Sequence, residues 1–379
     1  MKIGILTHPL YGNYGGMLQA YALVKILRDE GHDAYNLAFE PRSYRKVLHS
    51  PIRRAKERLR SFLLKHNLVF SDFKIPQILQ IEMGQQFEKA NVPKLFLGNT
   101  PAEQLKEYGV EAVVVGSDQV WRAAYARPMK SFPYFFLDFA PEEIRKSSIS
   151  YAASFGTDTW EGSEEESKVC GQLLREFRAV SVRESSGIDI CRDVFNVAAV
   201  RVADPTLLLR VEDYHHLIEQ EDTWLPENAY LGTYILDTSA AITSSILSVA
   251  QENKLAIQPL KASCRAAGKR DRLPVSVAQW LRLIRDSECL ITDSFHGCVF
   301  SIIFNKPFVC LGNKDRGTAR FESLLSTYGL GNRIVSEYSS LAIQKVMNMP
   351  INWDDVNSRH NRERETSLHF LHTNLNGHA

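Results

Sequence analysis

Residues 2–31 read KIGILTHPLYGNYGGMLQAYALVKILRDEG, and this stretch decides the fold. Lys2–Thr7 is a short apolar run closed by His8 and Pro9, the pattern of a buried parallel strand. Tyr11-Gly12-Asn13-Tyr14-Gly15-Gly16 then makes a turn-rich loop. Beyond it Leu18, Tyr21, Ala22 and Ile26 fall on one face of a helix, and Gly31 is placed to end it. Strand, glycine loop and helix in that order open a doubly wound α/β domain. The loop is neither GxGxxG nor GxxxxGK[ST], which argues against a dinucleotide fingerprint and against a P-loop kinase. Its glycines still let a ligand come close to the backbone.

The same grammar recurs downstream. Apolar runs at 112–115, 147–152, 179–182 and 200–203 end in Gly116-Ser117-Asp118, Ala153-Ser154-Phe155-Gly156, Arg183-Glu184 and Asp204-Pro205. In open α/β sheets that carboxyl edge is where ligands bind. The pattern restarts near residue 210, with strands expected at 230–236, 255–259, 288–292 and 307–311. A helix between them carries Val277, Trp280, Leu281 and Ile284 on one face. A chain of 379 residues suits two domains. We expect an N-terminal α/β domain at 1–212 with a basic helical insertion at about 42–105. A C-terminal α/β domain follows at 213–350, and then a tail, 351–379, that is helical and packs back on the body.

Composition is that of an ordinary globular protein, with 44% apolar and 23% charged residues. Lys plus Arg total 45 against 44 for Asp plus Glu, so the overall balance favours neither nucleic acid nor membrane. Residues 42–66 depart from that balance. Arg42, Arg45, Lys46, Arg53, Arg54, Lys56, Arg58, Arg60 and Lys65 face only Glu57 as an acid, while Leu59, Phe62 and Leu63 give part of an apolar face. The stretch reads as a solvated surface helix or as a patch for an anionic lipid surface or a diphosphate-bearing acceptor. None of the six cysteines is in CxxC spacing, which points to buried free thiols in a reducing compartment. The N-terminus reads as a first strand rather than a signal peptide, and no apolar run approaches the ~20 residues of a membrane span. The expectation is a cytoplasmic protein with peripheral contact at the inner membrane through 42–66.

The strongest chemical signal is Thr292-Asp293-Ser294-Phe295-His296-Gly297, between a strand and an apolar helix. Such a turn aims backbone N–H groups and the positive helix end at whatever sits above it. His296 beside it can hold or deliver a proton near neutral pH. Arg183, at a strand end, offers a planar fork for carboxylate or phosphate, the alternative being a surface pair with Glu184. Lys314, Arg316 and Arg320 follow the last strand and add positive charge. Gly116-Ser117-Asp118-Gln119-Val120-Trp121 supplies a carboxylate, an amide and an indole, the mix a sugar site wants; the alternative is a core Trp and a capping Asp. There is no GxSxG elbow and no HExxH, and His215-His216 read as surface residues.

Taken in order, Asn13-Tyr14-Gly15-Gly16, Leu18-Gln19-Ala20-Tyr21-Ala22-Leu23, Gly116–Trp121, Ser150–Gly156, Ser181-Val182-Arg183-Glu184, Ala203–Leu208 and Asp293–Gly297 resemble the polysaccharide pyruvyl transferase family. The resemblance runs from about residue 1 to 330. It implies a GT-B-like pair of Rossmann-like α/β domains with a cleft between them. It also implies transfer of pyruvate from phosphoenolpyruvate to a hexose in bacterial capsular or exopolysaccharide synthesis. The expected product is a 4,6-ketal on galactose or an N-acetylhexosamine.

In the family, the Arg of an SVR(D/E) motif and a later (R/S)-x-His-Gly motif contact phosphoenolpyruvate, which here means Arg183, Ser294, Phe295 and His296. Several members carry Arg where this chain has Ser294. Gly297 at the helix start, with Lys314, Arg316 or Arg320 as the replacement cation, completes the expected donor site. His296 is expected to give the proton and Asp118 to position or deprotonate the acceptor. The acceptor side is expected at Asn13, Tyr14, Gly15, Gly16, Ser117, Trp121 and Ser154. The acceptor itself could be a lipid-diphosphate-linked oligosaccharide. No metal and no cofactor is called for, phosphoenolpyruvate being a co-substrate. Two alternatives stay open: a GT-B glycosyltransferase using a nucleotide sugar, and a non-catalytic partner in polymer assembly.

Overall fold

The opening apolar run becomes β1 (Lys2–Leu6), the middle strand of a five-stranded parallel sheet. Ile3, Ile5 and Leu6 are wholly buried, as expected of a strand covered on both faces. The computed structural model describes residues 1–42, 49–66, 76–262, 273–312 and 319–376. After β1 the glycine loop enters α1 (Tyr14–Asp29), which is buried nearly all round, Leu18, Ala22 and Ile26 included. Gly31, at a φ of 88°, turns the chain out of the helix toward β2 (Asp33–Phe39). Then come α2 (Pro51–Lys65), α3 (Gln77–Asn91), β3 (Lys94–Leu97), β4 (Ala112–Val115) and β5 (Ile149–Ser150). The sheet order is β3-β2-β1-β4-β5, with Leu6 opposite Val115 where β1 meets β4. Parallel bridges from Ile149 to Ala179 and from Ala153 to Val182 carry the sheet on to β6 (Ser181–Val182), which pairs β7 (Val200–Arg201).

The second sheet has the order β12-β11-β10-β8-β9, also parallel. Its strands are β8 (Tyr230–Tyr234), β9 (Ala256–Pro259), β10 (Cys289–Thr292), β11 (Phe308–Leu311) and β12 (Ile334–Val335). α4 (Val277–Arg285) buries Val277, Trp280, Leu281 and Ile284 as its periodicity requires. α5 (Phe295–Ile303) is buried along its whole length. Each sheet has its own apolar core.

The chain divides into two compact units. One comprises residues 1–50, 84–209 and 361–379, and the other residues 51–83 and 210–360. The switch at 209/210 lies near the expected 212. The expected insertion at 42–105 divides differently, because residues 51–83 group with the second unit rather than the first. There Leu64 of α2 packs with Ile78 and Leu79. The tail forms α6 (Trp353–Asn376). Its later turns are tied to the first unit. Ser367 Oγ accepts from the Ala203 N–H at 2.9 Å, Arg364 donates to the Leu208 carbonyl at 2.6 Å, and Glu363 pairs with Arg201 at 2.7 Å. No helix among the described residues is long and apolar enough to cross a membrane. Cys170, Cys191, Cys289, Cys298 and Cys310 are buried free thiols, and Cys264 lies outside the described residues.

Candidate active site

In the first unit the carboxyl edge is a dense polar network. Gln19 of α1 donates to Thr7 Oγ1 and to the Gly16 carbonyl, both at 2.9 Å, and accepts from the Ser117 N–H at 2.9 Å. This latch joins the ends of β1 and β4 to the glycine loop. Asn13 reaches from the loop to donate to Asp118 at 3.2 Å. Asp118, with φ of 68°, stands two positions past Gly116.

Arg183 sits amid carboxylates. Its Nη1 lies 2.9 Å from Asp204 Oδ2, with Asp118 and Glu184 each 3.9 Å away. Its side chain is only 3% exposed. Burial works against its charge, but Asp204, Asp118 and Glu184 outweigh that and raise its pKa. The same acids have other anchors. Asp204 accepts from the Thr206 backbone and hydroxyl, and Glu184 accepts from Ser154 Oγ at 2.7 Å and the Gly156 N–H at 3.0 Å.

Several of the expected ligands are buried and hydrogen-bonded within the protein. Arg183 faces protein carboxylates, with Nη1 donating to Asp204 at 2.9 Å. Ser117 and Ser154 are wholly buried, bonded to the Ala152 carbonyl and to Glu184 respectively. Trp121 is core: its ring stacks on Phe136 and its N–H donates to the Phe135 carbonyl at 3.0 Å. Tyr14, Gly15 and Gly16 are buried in the first turn of α1.

The second unit builds its edge from backbone. Asp293, just past β10, accepts from the Leu236 N–H at 2.6 Å and the Asp237 N–H at 2.9 Å, which pins the end of β8. Thr292 Oγ1 donates to the Tyr234 carbonyl and accepts from the Ser294 N–H. Ser294 is the N-cap of α5, its hydroxyl accepting from the Gly297 N–H at 3.4 Å. A Cβ on Gly297 would stand 2.4 Å from Thr292 Oγ1, so only glycine lets helix and strand close this tightly. Phe295 and His296 occupy the first turn, ring edge to ring face at 5.3 Å, both nearly buried. Arg320 is also buried, with its guanidinium against Phe321. Lys314 and Arg316 lie outside the described residues.

Sequence reasoning missed a pocket in the first unit. It has a volume of about 220 Å³ and lies where β1–β3 end beside α3. Asn36, buried within β2, donates to Glu88 at 3.2 Å, and Glu88 also pairs with Lys94. That leaves Asn36 Oδ1 buried without a hydrogen-bond partner. His8 lines the same pocket, its Nε2 buried and likewise without a hydrogen bond, and its ring edge-on to Phe135 at 5.3 Å. Burial lowers the His8 pKa, more than Asp118 raises it. A wider pocket of about 700 Å³ adjoins, sharing Glu40 and Phe96 and adding Arg42, His49 and Lys130. The one available signal was a polar Asn inside the apolar run at 33–39. Close packing supports the pocket wall, because a Cβ on Gly84 of α3 would meet the Leu10 carbonyl at 1.7 Å. Among the described residues, no three His, Cys, Asp or Glu side chains gather to hold a metal ion.

A family model described as polysaccharide pyruvyl transferase matches residues 13–315. No curated protein matches the chain. Solved structures share its fold at low identity. An S. aureus MnaA structure with UDP has a TM-score of 0.55 at 11% identity, covering 99% of this chain and 97% of that one. The UDP-GlcNAc 2-epimerase of Neisseria meningitidis bound to UDP-GlcNAc has a TM-score of 0.51 at 13% identity, covering 97% and 100%. These likenesses identify two Rossmann-like units of the GT-B kind.

Proposed function

The chain belongs to the polysaccharide pyruvyl transferase family, and from that premise we propose that it moves a pyruvyl group from phosphoenolpyruvate to two hydroxyls of a hexose, releasing phosphate. The observation that carries the reading is the family match across 13–315, which takes in both the network at Asp118 and the turn at His296. The proposed product is a 4,6-ketal on galactose or an N-acetylhexosamine of a bacterial capsular or exopolysaccharide.

The donor end belongs to the turn at 293–297. Phosphoenolpyruvate carries about three negative charges, and the N-terminus of α5 favours anions. Ser294 replaces a cation with a hydroxyl already engaged in capping, so Arg320, with Lys314 or Arg316, supplies the missing charge. His296 protonates the methylene carbon, leaving C2 electron-poor. A sugar hydroxyl adds to C2 and loses its proton, the C2–O bond to phosphate breaks, and a second hydroxyl closes the ketal. Two hydroxyl protons are released in all. One balances the proton given to the methylene carbon and the other leaves with phosphate. Asp118 positions the acceptor, and Arg183 holds Asp118, Glu184 and Asp204 in place.

The paired pockets suit the acceptor. Asn36 Oδ1 wants a donor, and Glu40 and Glu88 outnumber Lys94, so the smaller pocket favours a neutral polyol over an anion. Phe96 offers an apolar face. Arg42 and Lys130 next door favour phosphate. A hexose on a diphosphate, such as a lipid-linked oligosaccharide, meets both demands.

Thermal shift tests the donor. At ~100 times its dissociation constant, a ligand adds ~2.7 kcal/mol to stability. We expect a shift with phosphoenolpyruvate and none with nucleotide sugars, and phosphate release only when a sugar acceptor is present. A shift with a nucleotide sugar alone overturns the donor assignment in favour of glycosyl transfer.

A further inference from the structure

α2 (Pro51–Lys65) is turned the wrong way round for a helix of a globular body. Such helices place their apolar stripe inward and their polar face in water. Here Glu57, Ser61 and Leu64, at i, i+4 and i+7, form the buried face. Glu57 accepts from the Gln77 N–H at 2.7 Å and from Arg60 at 3.0 Å, and Leu64 packs on Ile78 and Leu79. At 3.6 residues per turn the opposite face is Ile52, Ala55, Leu59 and Phe62. Ile52 is 84% exposed, Leu59 59% and Phe62 53%. The stripe is flanked by Arg58 and Lys65 on one side and Lys56 on the other, with Arg53 and Arg54 further round the helix and Arg60 held on Glu57. The helix holds six bases against one acid, in a chain whose formal net charge is only +1.

We propose that α2 is an interfacial helix that lays Ile52, Leu59 and Phe62 into the headgroup region of an anionic lipid bilayer. Charge chooses the occupant. An outward apolar stripe alone would suit a second copy or another protein equally well. A stripe with bases on both sides matches a surface that is apolar below and anionic at headgroup level. The helix is too short and too charged to span. The inference is independent of the pyruvyl transfer reading.

The test is flotation of the full chain with phosphatidylcholine vesicles, with and without phosphatidylglycerol. Wild type should float with the anionic vesicles only, and raised salt should weaken it. Leu59→Glu with Phe62→Glu should lower vesicle affinity by tenfold or more, roughly the worth of one buried apolar side chain. Both positions are exposed, so the melting temperature should stay that of wild type. Lys56→Glu with Arg58→Glu should cost roughly fivefold per cation removed. A Phe62→Trp variant should show a blue-shifted emission, quenched by brominated lipid. Equal binding to neutral vesicles, no binding, or retained binding by the double glutamate variant overturns the proposal. A wild-type dimer that the double glutamate variant converts to monomer overturns it too, and assigns the stripe to a second copy.

Discussion

The two sheet edges solve the same problem with different materials. At the first, Arg183 and the carboxylates of Asp118, Glu184 and Asp204 form a buried network of charged side chains. At the second, one carboxylate, Asp293, and two hydroxyls, Thr292 and Ser294, fasten backbone groups, and the helix end supplies the field. A side-chain network costs desolvation and must be complete to be stable. A backbone site needs close approach instead, which is why Gly297 stands there. The first edge should therefore fail through lost charge, and the second through added volume or a lost proton.

The largest effect is expected at Arg183. Arg183→Met leaves buried carboxylates without their cation and should cost about 3–5 kcal/mol in denaturant unfolding. Adding Asp204→Asn should recover part of it. A variant as stable as wild type that no longer binds phosphoenolpyruvate would assign Arg183 to the donor and collapse the contrast between the edges. At the other edge, His296→Gln should lower kcat roughly 10²–10⁴-fold, the usual worth of a general acid, with phosphoenolpyruvate affinity nearly kept. Turnover at the wild-type rate would exclude His296 as the proton source. Gly297→Ala is smaller. The new methyl meets Thr292 Oγ1, which two hydrogen bonds hold in place, so about 1–3 kcal/mol of stability should be lost, along with donor affinity.

Legibility also differed between the edges. The turn at 292–297 is local: strand, cap, histidine and glycine are consecutive, so its form could be read from the sequence. The strand-loop-helix opening at 2–31 was legible for the same reason, as was the amphipathic face of α4. The network around Arg183 was not. Asp204 lies 21 positions away and Asp118 in the turn after another strand, and nothing in linear order says that these acids face one arginine. Trp121 looked like a sugar platform because a core indole and a stacking indole have the same neighbours in sequence. β2 is hidden in the sequence because Asn36 interrupts its apolar run, and Asn36 lines the pocket. β3 and β12 are made strands by their pairing partners, not by their composition. The outward stripe of α2 was visible only as an amphipathic helix; which face the protein covers is a tertiary fact.

The smallest prediction concerns His8, at the boundary between the first edge's network and the pocket. Its pKa is lowered from 6.5 by burial, against the opposing pull of Asp118. The folded ring thus binds a proton less readily than the unfolded one. The stability it contributes is present above 6.5 and is lost as pH falls through the lowered folded value. His32 is shifted the same way, so wild type alone cannot isolate the effect. The difference between wild type and His8→Gln can. Stability measured by denaturant titration should fall more steeply in wild type than in the variant as the solution is acidified below 6.5. Parallel curves would mean that the ring charges without penalty. The pocket floor would then be open to water, and the first edge would be less dry than its buried carboxylates imply.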